Sequence, residues 1–227
     1  MTEARTGAAS PGAPQGKYHL VGIGGAGMSV VAELLAASGA EVSGSDSKES
    51  QTTRRLAAEG IAVSIGHDAR HVPADAVLVV SSAIRESNPE LAVARERSQK
   101  VLHRSQALAL AARGRDFVAV AGAHGKTTTS AMIAMALREV GLDPSWAIGG
   151  SVVGAGGGSH LGGGRAFVAE ADESDASFLN YDPLVEVVTN VEPDHLDHYG
   201  STEAFEEAFA QFARLLKADG VLVACAD

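Results

Sequence analysis

Phe117-Val-Ala-Val-Ala, an apolar and β-branched run, empties directly into Gly122-Ala-His-Gly125-Lys126-Thr127-Thr128-Thr129. The alanine- and methionine-rich segment from Ser130 to Val140 follows and reads as a helix. A buried strand that turns through glycines into a helix is a layout that holds phosphate. Backbone N–H groups curl around the oxygens, the helix N-terminus adds partial positive charge, and a lysine adds a full one. The hydroxyl of Thr127 stands where a magnesium ion accompanying the phosphates would find a hard oxygen. The common phosphate loop has its first glycine five residues before the Gly-Lys pair, where this chain has Val120; the loop opening at Gly122 is shorter by two. A glycine-rich turn that merely contains a lysine is the bland alternative. It does not explain why strand, glycines, Lys-Thr and helix all fall in register.

A second glycine turn lies upstream. Tyr18-His-Leu-Val-Gly-Ile23 reads as a strand and runs into Gly22-Ile-Gly24-Gly25-Ala26-Gly27, ahead of an apolar helix from Met28 to Ser38. This is Gly-x-Gly-x-x-Gly after a strand, and Asp46 follows at a spacing that reaches a ribose hydroxyl. The pattern points to a diphosphate on a helix N-terminus without naming the nucleotide. Close helix–strand packing is the alternative use of the same glycines.

Between and after these turns, short strands at 61–65, 76–81 and 100–103 alternate with helices expected over 54–59, 89–98 and, capped by Ser105, up to Ala112. Such alternation means parallel α/β sheets. The polar stretch Arg113-Gly-Arg-Asp116 divides a Rossmann-like unit, 17–113, from a second doubly wound unit, 114–227. The second unit adds strands over 165–170 and 184–189. An amphipathic helix over 202–217 then lines up Phe205, Phe209, Phe212 and Leu216, and a last strand opens at Val221. Nine glycines among residues 149–164 exclude a helix there and suggest a mobile loop or weak hairpin. A doubly wound unit that begins a strand in its last seven residues reads as cut short.

The chain carries a formal net charge of -10, which argues against nucleic acid or an anionic membrane as main partner. Residues 1–16 are small and polar, without the apolar core of a signal peptide, and are expected to be a disordered tail. No apolar run approaches the roughly 20 residues of a membrane span. One cysteine, Cys225, excludes an internal disulfide and suits a reducing compartment, so the expected location is the cytoplasm.

Two acidic strand ends accompany the Lys126 loop. Glu170-Ala-Asp172-Glu173-Ser174-Asp175 closes one strand, where carboxylates face the ligand crevice of an open sheet and could bind magnesium; a solvated acidic turn is the alternative. Asn190 and Glu192-Pro-Asp194-His195-Leu-Asp197-His198-Tyr199 close another. The three-residue spacing of His195 and His198 leaves open a zinc site with Asp194 or Asp197. A hard cation held or oriented by His195 suits the lone pair of histidines better, with His198 an exposed bystander.

Taken together, Gly24-Gly-Ala-Gly-Met28-Ser, Gly122-Ala-His-Gly-Lys-Thr-Thr-Thr, Glu170-Ala-Asp-Glu-Ser-Asp175 and Thr189-Asn-Val-Glu-Pro-Asp-His195 resemble the Mur ligase family, ATP-dependent amino-acid ligases of peptidoglycan precursor synthesis. The resemblance covers residues 17–227. It implies three domains: a first for the UDP part of the substrate, a central one for ATP, and a C-terminal one for the amino acid, with no counterpart here. Within the family the motifs are most similar to the members that join L-alanine to UDP-N-acetylmuramate through an acyl phosphate. By that similarity Gly24, Gly25, Ala26, Gly27 and Met28, with Asp46 and Arg104, form the UDP-sugar side. Gly122, Ala123, His124, Gly125, Lys126, Thr127 and Thr128 hold ATP. Lys126, Glu173 and His195 carry the chemistry, and Thr127, Glu173 and His195 bind Mg2+. Ala123 departs from the threonine usual in the family loop. Two other readings compete: an NAD-dependent oxidoreductase, which leaves Lys126 unexplained, and a fragment that binds UDP-sugar and ATP without turnover.

Overall fold

The computed structural model describes residues 14–150, 152, 154 and 157–225. Most of the expected N-terminal tail therefore lies outside the described residues. The chain builds two sheets in succession. The first has five parallel strands in the order β3-β2-β1-β4-β5, from β1 (Lys17–Val21), β2 (Glu41–Asp46), β3 (Ala62–Ile65), β4 (Val77–Val80) and β5 (Val101–His103). Strand order reverses beside β1, so the glycine turn that follows it opens at the crevice between the two halves of the sheet.

Helices α1 (Ala26–Ala37), α2 (Gln51–Ala58) and α3 (Pro89–Glu96) connect strands of this sheet, and α4 (Arg104–Ala111) leads from β5 to the second sheet. Three begin earlier than the sequence suggested, α2 and α4 for a capping reason. Ser50 caps α2 through a reciprocal bond with Thr53, so the helix starts within the polar segment. At α4 the cap is the His103 ring, which accepts the Ser105 amide in place of the expected serine hydroxyl.

The second sheet has the order β11-β10-β6-β9-β7-β8. Its strands are β6 (Asp116–Ala121), β7 (Ser145–Ala147), β8 (Ser159–His160), β9 (Ala166–Glu170), β10 (Val185–Val188) and β11 (Val221–Ala224). All pairings are parallel except β7 with β8. Strand β7 escaped the sequence reading because three residues show no period. The described part of the glycine-rich stretch is partly tied down by β8 against β7. A Cβ on Gly164 would fall 1.9 Å from the Leu142 carbonyl oxygen and one on Gly162 2.2 Å from that of Asp143, so these glycines allow close backbone packing.

The helices here are α5 (Lys126–Glu139), α6 (Leu196–Tyr199) and α7 (Thr202–Ala213). Helix α5 begins at Lys126, earlier than the apolar segment alone indicated. Phe205, Phe209 and Phe212 are buried as the period of α7 requires and stack on Phe178 and one another. One apolar cluster runs from Leu20, Leu34 and Leu108 of the first unit to Phe117, Phe167 and Phe178 of the second. That shared core seats the two sheets side by side, with α4 packed against the turn that carries Phe178.

Candidate functional site

Both glycine turns end in helix N-termini that no side chain caps. At α1 the N-cap is Gly25, and at α5 it is Gly125 in the left-handed region with φ 84°. Neither first turn contains an acidic residue. Each therefore leaves its unpaired N–H groups and positive dipole end free for an anion.

Gly122 is forced to be glycine. Its φ is 130°, and a Cβ would sit 2.2 Å from Thr189 Oγ1 and 3.0 Å from the Asn190 amide nitrogen. The end of β10 clamps the loop. Thr189 Oγ1 donates to the His124 carbonyl at 2.6 Å, Asn190 Nδ2 donates to the same oxygen at 3.0 Å, and the His124 amide donates to Asn190 Oδ1 at 3.2 Å. This clamp was invisible in sequence, where Thr189 and Asn190 read only as a strand end. His124, Thr127 and Thr128 are exposed at the mouth and Ala123 is half-buried.

Lys126 folds back into the loop, donating to the Gly122 carbonyl at 2.6 Å and pairing with Glu173 Oε1 at 2.8 Å. Glu173 is 1% exposed, and its buried Oε2 has no hydrogen-bond partner among the described residues. The Tyr199 hydroxyl donates to the Glu173 backbone carbonyl, and burial pushes that phenol up to about 12, so it stays protonated as a donor. A buried carboxylate oxygen with nothing to accept from is a hard donor of the kind a magnesium ion takes. His195 is half-exposed at φ 52°, its amide donating to Asp194 Oδ1 at 2.7 Å. Among the described residues no three His, Cys, Asp or Glu side chains converge into a metal set, so neither the zinc reading nor a closed protein cage gains support. His198 is exposed.

On the first unit, Asp46 Oδ2 accepts the Gly24 amide at 2.9 Å, fixing the glycine turn from the end of β2. Gly25 and Ala26 are exposed. The side chain of Met28, expected on the substrate side, is buried in the core at 4% exposure, because its place in the first turn of α1 faces the sheet. Arg104 lies against that turn: a Cβ on Gly27 would meet its Nη1 at 2.9 Å. The same guanidinium reaches across to the second unit and pairs with Asp172 Oδ2 at 2.9 Å. Burial disfavours the Asp172 charge, but the Ser174 hydroxyl and amide and the nearby Arg104 outweigh it and hold the carboxyl below its usual range. His103, beside Asp175 at 3.5 Å, has its proton affinity lowered by burial despite that carboxylate.

Arg104, Lys126, Glu170 and Asp172 thus line one cavity of about 230 Å3, floored by Gly27 and Tyr181. Two uncapped helix N-termini, one from each sheet, open toward one cleft. That arrangement defines a protein of two parallel α/β units packed side by side, each with a glycine turn at the cleft. Comparison with known proteins agrees and sharpens it. Residues 17–116 match the Mur ligase family catalytic domain and residues 120–227 the Mur ligase middle domain; the chain belongs to the Mur ligase family.

Among curated relatives, the chain is 58% identical over 226 residues to the UDP-N-acetylmuramate–L-alanine ligase of Kineococcus radiotolerans, covering 98% of this chain and 48% of that one. It is 57% identical to the ligase of the same name from Renibacterium salmoninarum, covering 93% and 46%. The chain therefore spans about half the length of the relatives it matches. Among solved structures, UDP-N-acetylmuramate–alanine ligase from Thermotoga maritima superposes with a TM-score of 0.84 at 32% identity, over 93% of this chain and 49% of that one. The Neisseria meningitides UDP-N-acetylmuramate:L-alanyl-γ-D-glutamyl-meso-diaminopimelate ligase gives 0.86 at 29% identity, over 92% and 71%.

Proposed function

We propose that this chain forms the N-terminal and middle part of an ATP-dependent ligase joining L-alanine to the carboxylate of UDP-N-acetylmuramate in the cytoplasm. The observation that carries the reading is the shared cleft, in which the cation beside the Gly24–Gly27 turn and the cation of the Gly122–Lys126 loop line one cavity. The first turn takes the UDP diphosphate on the N-terminus of α1, with Asp46 toward the ribose. The second takes ATP on the N-terminus of α5.

A substrate carboxylate oxygen attacks the γ-phosphorus, the bond to the β–γ bridging oxygen breaks, and ADP leaves. The alanine amine then attacks the acyl phosphate carbon, loses a proton and expels phosphate. Lys126 spreads the charge of the transferring group, and positioning supplies most of the rest. No side-chain nucleophile is required. Glu173, through its unpartnered oxygen, with Thr127 and His195, are the residues that would hold Mg2+, whose chemistry is neutralisation of phosphate charge.

The relatives are about twice as long, so turnover is proposed for the full-length protein and binding of UDP-sugar and ATP for this chain. Phosphate release by the full-length protein should need ATP, UDP-N-acetylmuramate and L-alanine together, and Lys126→Ala should abolish it. Turnover independent of L-alanine would refute the reading. The likeness to the Neisseria enzyme makes a tripeptide acceptor the second reading, and L-alanyl-γ-D-glutamyl-meso-diaminopimelate belongs in the same assay.

A further inference from the structure

Asp172 and Glu173 are neighbours just beyond β9, and each holds the cation of a different anion site. Glu173 pairs with Lys126 of the second loop at 2.8 Å, while Asp172 pairs with Arg104 beside the first turn at 2.9 Å. The Asp172 carboxylate is preset for this. Its other oxygen, Oδ1, accepts the Ser174 amide at 3.1 Å and the Ser174 hydroxyl at 2.7 Å. The guanidinium lies against Gly27, so the group that an incoming phosphate on α1 would meet is already neutralised by the other sheet. Further polar contacts run from the start of α4 to the same turn: His103 to Asp175 at 3.5 Å and Asn180 Nδ2 to Ser105 Oγ at 2.8 Å.

We propose that Asp172 is an internal anion that occupies Arg104 in the absence of ligand, latching the two units, and that the phosphate of the ligand on the Gly24–Gly27 turn displaces it. The inference rests on the reading of that turn as a nucleotide-diphosphate site. Both partners are partly exposed, with side-chain exposures of 27% and 39%, so the pair can exchange with an external anion. Arg104 suits the exchange, because its planar fork can bind a carboxylate or a phosphate in the same pose. The residue that a simple inspection assigns to the ligand is thus held in reserve by a carboxylate of the neighbouring unit.

The test is calorimetric titration of this chain with UDP, using Asp172→Asn, Arg104→Ala and the double variant, each checked by thermal melting. Asp172→Asn should bind UDP about threefold more tightly than the parent, the gain expected from removing one partly exposed ion-pair competitor. Arg104→Ala should bind about tenfold more weakly, the loss of one charge-assisted contact. In the Arg104→Ala background, Asp172→Asn should bring no gain, since there is no cation left to release. A merely structural role for Asp172 would lower the melting temperature and weaken binding in both backgrounds. Unchanged or weaker UDP binding by Asp172→Asn, with the parent binding normally, overturns the latch alone. UDP binding by none of the four proteins, alongside normal ATP binding, overturns the assignment of the turn and the latch with it.

Discussion

Glu186 gives the most quantitative prediction the structure supports. It sits mid-strand on β10, in register with Ala119 of β6 and Leu222 of β11, fully buried, with neither carboxylate oxygen bonded among the described residues. Burial pushes its pKa up to about 7, against an ordinary glutamate value of 4.5. An unfolded chain releases this proton near pH 4.5, whereas the fold keeps it to about 7. Between those values the native state binds more protons, so its stability falls as pH rises and levels off above about 7. The full penalty of the ionised, unpaired carboxylate is roughly 3 kcal/mol. Glu186→Gln and Glu186→Leu remove the titration. Urea unfolding of parent and variants at about pH 5.5 and about pH 8.5 would measure it, with the variants gaining about 2 kcal/mol on the parent between the two. The fluorescence of Trp146, the sole tryptophan and 2% exposed in the same sheet, reports the transition. Parent and variant curves that keep the same separation at both pH values would refute the reasoning.

Gly122→Ala must drive a methyl into Thr189 Oγ1 at a left-handed φ, so it should abolish ATP binding while UDP binding survives, as titration of each nucleotide would show. Ala123→Thr restores a hydroxyl beside the loop and should tighten ATP binding by about 1 kcal/mol, one net hydrogen bond, by the same titration. Glu90→Leu should cost about 1–3 kcal/mol in urea unfolding, because it strips the acceptor from the buried Ser45 hydroxyl at 2.5 Å. Arg165→Ala breaks a pair with Asp116 whose arginine is 82% exposed, and should change stability by less than about 1 kcal/mol.

Much of this molecule was legible residue by residue. The strand–glycine–helix passages at Tyr18–Ser38 and Phe117–Val140 announce themselves because glycine tolerance, apolar period and a positioned lysine are local properties. The period of Phe205, Phe209 and Phe212 fixes the buried face of α7 for the same reason. Where a reading slipped, the cause was a contact that sequence does not show. The ring of His103, not Ser105, caps α4. The Thr189–Asn190 clamp on His124 joins residues more than sixty apart.

The sequence by itself determined the parallel α/β class, the two strand–glycine–helix turns and the acidic strand ends, since each depends on residues within one turn or strand of one another. Only the tertiary structure decided what those groups do to each other. Strand order brings the ends of β6, β9 and β10 together, and the shared apolar core sets α4 against the second unit. That placement hands Lys126 to Glu173 and Arg104 to Asp172, and leaves Glu173 Oε2 and both oxygens of Glu186 without partners among the described residues. Charges far apart in sequence acquire partners, or fail to, only when the fold fixes their distance and removes the water between them.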